Sequence, residues 1–261
     1  LYSMHTDSQQ LLWLTSGNDG VYRICFPSRQ FRQVDFPFNK KEKSGVRALF
    51  QLTNGDVWMG TRSKDLYVLD RNAHIKKVYT YAQYHFGSVY YMMYGRDGHI
   101  WMSTKGNGLI EAIPDHVSAD GYHFVHYIHD ATNPQSISGN NVYTTFIDSH
   151  NHFWVGTLDG GLNLMVKQGG KTIFMNKQNG FSHYPLYGLY TEVRNISESR
   201  DGRIWVGTID GLMSFDSHFS QIKDIRFETY GRPGTGTLIN SDIYALFRDH
   251  AHNIWLSGFG V

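Results

Sequence analysis

The chain has 261 residues and a formal charge of +1. Charged residues at 18% and aromatic residues at 15% argue against a disordered chain, and no long basic run suggests a nucleic-acid partner. The single Cys25 excludes an internal disulfide, no run approaches 18 apolar residues, no signal peptide is visible and the first residue is not Met, so the sequence reads as a processed or excised piece of something longer.

In chain order, alternation of period two between polar turns predicts strands. A first group lies near 1–6, 11–16, 20–25 and 31–35, and a second near 46–52, 56–61, 66–70 and 75–81. A third lies near 89–94, 99–104, 108–113 and 122–128, and a fourth near 142–148, 152–157, 161–166 and 172–176. A fifth spans 193–198, 203–208, 211–216 and 224–230, and a sixth has only 243–248 and 253–257. The 27 glycines suit many short strands joined by tight turns.

All six tryptophans fall at one place in this pattern. Trp13, Trp58, Trp101, Trp154, Trp205 and Trp255 stand in LWLTS, VWMGT, IWMST, FWVGT, IWVGT and IWLSG, at spacings of 45, 43, 53, 51 and 50 residues. Residues 1–13 align without a gap on residues 243–255. The chain is therefore a repeat array, with units at approximately 1–44, 45–87, 88–140, 141–191, 192–241 and the half unit 242–261. Four antiparallel strands per unit is the arithmetic of a β-propeller blade, so the expected fold is all-β, five and a half blades, each Trp wedged against the neighbouring sheet. The fourth strands are more polar, as outer edges should be.

Some copies depart from the pattern. Asp65 stands where other units have Gly20, Gly108, Gly161 or Gly211, which predicts a strained or differently shaped turn. SHNH (149–152) and HAHN (250–253) replace an Asp-Gly turn. Between units, residues 129–141 have the composition of an ordered surface loop, and residues 179–192 carry three Tyr and a Phe in a connection of the kind that often holds function.

RDGRIWVGTIDGL (200–212), its relatives RDGHIWMSTKGNGL (96–109) and NGDVWMGT (54–61), and the joining phrase HYIHDATNPQSISGNNVYTTFIDS (126–149) resemble the regulator-propeller repeats of Bacteroides-type hybrid two-component sensors. The resemblance recurs in every unit. It implies a larger ring, usually of seven blades, in the periplasmic sensor domain of an inner-membrane hybrid histidine kinase and response regulator. It also implies an oligosaccharide or similar glycan ligand, a homodimer, and a membrane helix and kinase elsewhere in the protein. No cofactor or metal is implied, and the fragment itself is expected to perform no chemistry.

One column suggests where a ligand would sit. The second residue of each innermost strand is Tyr2, Arg47, Tyr90, Tyr143, Arg194 or Tyr244. Phenols and guanidiniums at the starts of inner strands can stack on sugar faces and fork hydrogen bonds to hydroxyls or acidic groups. Equally, such amphipathic side chains pack between blades. The turns between second and third strands add Asn18, Asp19, Asn107, Asp159 and Asp210, which suit turn formation, and Arg62, Lys64 and Lys105, cations that a turn does not need. The pairs His150/His152 and His250/His252 lack an acidic or Cys partner in sequence and are read as turn residues rather than metal ligands. His123, His126 and His129 scatter over both faces of an outer strand.

Two other functions stay open on the residues alone. A propeller lyase of the streptogramin-cleaving type, or a glycan-acting enzyme, would need a rim His near a carboxylate, for which His85 or His183 with Glu192 or Asp242 are the available residues. A protein-interaction scaffold is the other, although the Trp-Asp dipeptide of WD repeats is missing.

Overall fold

The computed structural model describes residues 3–9, 11–16, 20–25, 30–34, 45–188, 190–231 and 242–258. The fold is an all-β propeller of four-stranded antiparallel blades, and the chain divides into two compact units, Leu1–Val125 and His126–Val261.

The first unit holds three sheets. They are β1 (Ser3–Thr6), β2 (Leu12–Ser16), β3 (Gly20–Cys25) and β4 (Gln30–Val34); β5 (Val46–Gln51), β6 (Val57–Thr61), β7 (Leu66–Leu69) and β8 (Ile75–Tyr79); and β9 (Ser88–Tyr94), β10 (Ile100–Lys105), β11 (Leu109–Pro114) and β12 (Tyr122–Tyr127). In the second unit are β13 (Val142–Ile147), β14 (Phe153–Thr157), β15 (Gly161–Gln168) and β16 (Lys171–Met175); then β17 (Val193–Glu198), β18 (Arg203–Thr208), β19 (Gly211–Asp216) and β20 (Glu228–Tyr230). A two-stranded sheet, β21 (Ile243–Arg248) and β22 (Ile254–Gly258), follows. Within every sheet the strands pair in chain order. First strands of successive blades lie beside one another, β5 against β1 and β9, and β17 against β13 and β21.

The strand boundaries agree with the periodicity to within a residue or two, with two exceptions. Expected strand 75–81 stops at Tyr79, and Tyr81–Tyr84 forms a single helical turn closed by His85 at φ 53°. Expected strand 224–230 pairs only over Glu228–Tyr230, because Ile222–Asp224 is a 3₁₀ turn that delivers Ile225 into the core.

The Trp side chains are fixed first by their own hairpins and then, where a next blade of the same unit follows, by that blade. The hairpin between first and second strands closes with a left-handed residue three positions before the Trp: Gly55, Gly98, Asn151, Gly202 and His252 all have φ between 66° and 87°. Asn151 and His252 thus fill the place that Gly takes elsewhere, which is how SHNH and HAHN replace the Asp-Gly turn. Six positions before the Trp, Asp7, Asp148, Ser199 and Asp249 each accept the indole Nε1–H at 2.7–3.0 Å. Asp148 also accepts the backbone N–H groups of His150 and His152 and bonds His152 Nδ1 at 2.8 Å.

The neighbouring sheet completes the burial. Trp58 meets Tyr122 edge-on at 5.0 Å, and Trp154 meets Phe215 at 4.9 Å. Two residues past the Trp, Gly60, Gly156 and Gly207 leave the space into which the next blade's Val89, Val193 and Ile243 press; a Cβ on Gly156 would lie 2.5 Å from Val193 Cγ1. This close approach explains the small residues that follow each Trp in sequence.

Trp13, Trp58, Trp101 and Trp154 are buried, as expected. Trp205 is only half-buried, and Trp255 is 60% exposed. The expectation of six wedged indoles is corrected there: the two-stranded sheet covers part of Trp205, and among the described residues no further sheet lies over Trp255.

The Asp65 turn is differently shaped rather than missing. Positive φ moves one residue earlier, from the Gly of other blades (Gly108, Gly161, Gly211) to Lys64 at 76°, while Thr61 Oγ1 still donates to the Asp65 carbonyl at 2.7 Å. Thr104, Thr157 and Thr208 make the matching bond to Gly108, Gly161 and Gly211.

Candidate functional site

The residue column read from the sequence coincides with a backbone irregularity. In β5 the pairing jumps from Val46↔Thr61 to Ala48↔Gly60, which makes Arg47 the extra residue of the register shift. The same jump leaves out Tyr90 in β9, Tyr143 in β13, Arg194 in β17 and Tyr244 in β21. Each is a β-bulge residue, and a bulge re-aims one side chain out of the ladder. Small residues stand opposite each bulge (Gly60, Ser103, Gly156, Gly207 and Ser257), and Gly60, Gly156 and Gly207 also admit the next blade's close approach. Tyr2 lies outside the described residues.

Within each unit these side chains partner one another across blades. The Arg47 guanidinium lies 5.4 Å from the Tyr90 ring centre, and that of Arg194 4.2 Å from Tyr244. Arg194 also pairs with Asp242: Nη2 donates to Oδ2 at 3.4 Å, and Nε approaches Oδ1 at 3.3 Å. Tyr244 remains 48% exposed, and Arg47, Tyr90, Tyr143 and Arg194 are partly exposed. Arg47, Tyr90, Arg194 and Tyr244 thus pack between blades and still present aromatic and guanidinium surface.

The turns between second and third strands stand beside these bulges. Arg62, Leu158 and Ile209 each donate a backbone N–H to Gly45, Asn141 and Glu192, the residues that lead into β5, β13 and β17. Arg62 and Lys105 point exposed side chains from this end, whereas Lys64 lies over the Tyr81 ring at 4.4 Å. Asp159 is a joining residue: its carboxylate accepts from the Asn140 and Asn141 backbone and from Asn141 Nδ2 at 2.9 Å. Asn18 and Asp19 lie outside the described residues.

The aromatic connection 179–192 is mostly core. Phe181, Tyr184 and Tyr190 are buried, and Tyr184 Oη donates to the Tyr190 carbonyl at 2.8 Å while accepting from Leu162 N–H. Burial pushes the Tyr184 phenol well above its ordinary range, so it stays protonated as that donor. Among the described residues of that segment, Leu186 and Tyr187 present large apolar surface. Loop 129–141 borders an open cavity of about 580 Å³ lined by Tyr127, His129, Asn133, Gln135 and Phe174, among others.

Among the described residues, Asp97, His99 and Glu111 form a group with metal-ligand chemistry. His99 Nδ1 lies 2.7 Å from buried Glu111 Oε1 and 3.4 Å from Asp97 Oδ2. The corresponding places in the β18–β19 hairpin hold Arg203 and Ser214, bonded at 2.7 Å, so the His99–Glu111 pair reads as a cross-strand polar clasp. Of the enzyme residues named above, Asp242 pairs with Arg194, and His85 lies edge-on against Tyr81.

Stacked Trp-centred hairpins with bulged inner strands define the chain as a sheet propeller whose repeats share one local design. Residues 136–159 and 188–210 match the two component regulator propeller family. It is 24% identical over 264 residues to Histidine kinase P4 of Formosa agariphila, covering 98% of this chain and 18% of that protein. In fold it is similar to the extracellular domain of a candidate hybrid two-component system of B. thetaiotaomicron (TM-score 0.70, 17% identity, 98% of this chain, 32% of that one). It is also similar to virginiamycin B lyase of Staphylococcus aureus (TM-score 0.69, 16% identity, 99% of this chain, 78% of that one). The chain thus spans less than a fifth of the length of the curated kinase it matches.

Proposed function

We propose that this chain is a ligand-sensing part of the extracytoplasmic, periplasmic region of a hybrid two-component sensor, and that it recognises an oligosaccharide without transforming it. The regulator-propeller repeats support the class, together with the kinase relative. The observation that carries the site is the bulge in β5, β9, β13, β17 and β21, each at a Tyr or Arg. A bulged Tyr offers a flat apolar face with a hydroxyl, and a bulged Arg a planar fork of donors, which together suit pyranose rings and their hydroxyls. Signalling would proceed by population shift, the ligand favouring one arrangement of paired sensor chains that a cytoplasmic kinase reads.

The test is a calorimetric titration of the complete sensor against a panel of oligosaccharides, repeated on Arg194→Ala and Tyr244→Ala. The expected result is saturable binding of at least one oligosaccharide, weakened about tenfold or more by each substitution. Absence of binding across the panel, or binding indifferent to both substitutions, would overturn the reading. A second reading, a propeller lyase, is favoured by the likeness to virginiamycin B lyase, of which this chain spans 78%. Mass spectrometry of the same mixtures decides between them, since cleavage of a bound ligand at catalytic rates would make the chain an enzyme.

A further inference from the structure

The histidine pair that the sequence joined, His150 and His152, separates in the structure, and His150 instead finds a histidine of the next blade. His152 Nδ1 is bonded to Asp148, and its ring stacks on Phe219 at 4.6 Å. His150, on the turn between β13 and β14, places Nε2 2.8 Å from Nε2 of His218, which follows β19. The other ring nitrogens are engaged as well. His218 Nδ1 lies 3.3 Å from Asp216 Oδ1, and a carboxylate can only accept. His150 Nδ1 lies 3.1 Å from Ser217 Oγ and 3.4 Å from Ser149 Oγ. Ser149 gives its hydroxyl hydrogen to Glu198 Oε1, so toward His150 it too can only accept.

Ser217 Oγ, the nearer hydroxyl, can donate to His150 Nδ1. With the His218 proton held at Nδ1 by Asp216, His218 Nε2 presents a lone pair to His150 Nε2, and the two nitrogens share one proton across 2.8 Å. A metal ion bound by both nitrogens takes the place of that proton. A carboxylate or hydroxyl fixing the far nitrogen of each imidazole is also the arrangement that orients histidine ligands in metal centres. We propose that His150 Nε2 and His218 Nε2 form a site for a divalent transition metal of borderline softness, Zn²⁺ or Cu²⁺, that clasps the second unit's first two blades. Tetrahedral Zn–N bonds of about 2.1 Å place two nitrogens about 3.4 Å apart. The rings then need to open by only about 0.6 Å, which exposed side chains allow, with water in the remaining positions.

The test titrates Zn²⁺, as zinc chloride, into metal-stripped protein by calorimetry, and follows Cu²⁺ by electron paramagnetic resonance. The expected result is one saturable site per chain, a Cu²⁺ spectrum with coupling to imidazole nitrogens, and at least tenfold weaker Zn²⁺ binding in both His150→Ala and His218→Ala. His152→Ala, whose ring serves Asp148 and Phe219, should retain the site. Exposed His150 and His218 leave the fold intact when truncated, and circular dichroism of each variant verifies it. No saturable Zn²⁺ binding, as a single proton shared between the rings would give, overturns the proposal. So does Zn²⁺ affinity unchanged in the His150→Ala/His218→Ala double variant.

Discussion

Trp154 and Trp255 occupy matching points of matching hairpins, and their surroundings are opposite. Both follow an Asp six residues earlier that accepts the indole N–H, at 2.8 Å from Asp148 and 2.7 Å from Asp249. Both hairpins turn through a left-handed non-glycine residue, Asn151 or His252. Trp154 is nevertheless fully buried under Phe215 and its neighbours in the next blade, and Trp255 is 60% exposed. The hairpin alone therefore sets the ring's position and its polar bond. Desolvation, which makes up most of the stabilisation, comes from the adjacent sheet.

The largest effect expected from this comparison is on the indoles themselves. Trp154→Ala should cost about 3–5 kcal/mol in urea unfolding, and Trp255→Ala less than about 1 kcal/mol, because one empties a packed site and the other trims an open surface. Equal losses would show that the hairpin, and not the neighbouring blade, carries the energy. Next comes Gly156→Ala, whose new Cβ meets Val193 Cγ1 at 2.5 Å and Thr144 Cγ2 at 2.8 Å; it should cost about 1–3 kcal/mol by forcing the blades apart. Ser257→Ala, at the same place in the uncovered sheet, should change the unfolding midpoint little.

Asp148→Asn should cost about 1 kcal/mol at neutral pH, and the loss should shrink in acid. Burial raises the Asp148 pKa, but bonds from His152, Trp154 and the backbone outweigh it, so the folded value lies below the unfolded one near 3.9. Its contribution is thus complete above about pH 4 and disappears as pH falls through the folded value. Urea midpoints of both proteins between pH 6 and pH 2 should converge at the acid end. Asp249 is held down to about 2, first by the Trp255 indole N–H, and follows the same sign with a smaller amplitude because it is exposed. The smallest expected effect is a gain: His252→Gly should stabilise by about 0.5–1 kcal/mol and Asn151→Gly by less, since Asn tolerates left-handed backbone better than His. Thermal unfolding midpoints measure both.

Strand positions, the repeat period and the class of fold were legible because alternation and a recurrent Trp report local geometry. The Asp partner of the indole was legible too, since Asp7, Asp148 and Asp249 stand six residues before a Trp, but its meaning needs the hairpin's three-dimensional closure. The Tyr and Arg column could be read as a column, whereas the bulge beneath it depends on pairing register, which no single strand encodes. The meetings of Arg194 with Tyr244 and of His150 with His218 depend on how blades stack, across 50 and 68 residues of chain. Spacing within one repeat carries no record of either. The shifted turn at Lys64 was visible only as a missing Gly.

Hydroxyl-radical footprinting of the 261-residue chain, read by mass spectrometry at each tryptophan, tests the stacked-blade account most directly. The account predicts that Trp255 is oxidised at least about tenfold faster than Trp13, Trp58, Trp101 and Trp154, with Trp205 between them. Oxidation of Trp154 as fast as Trp255 would contradict it, because the blades would then not be pressed together as described.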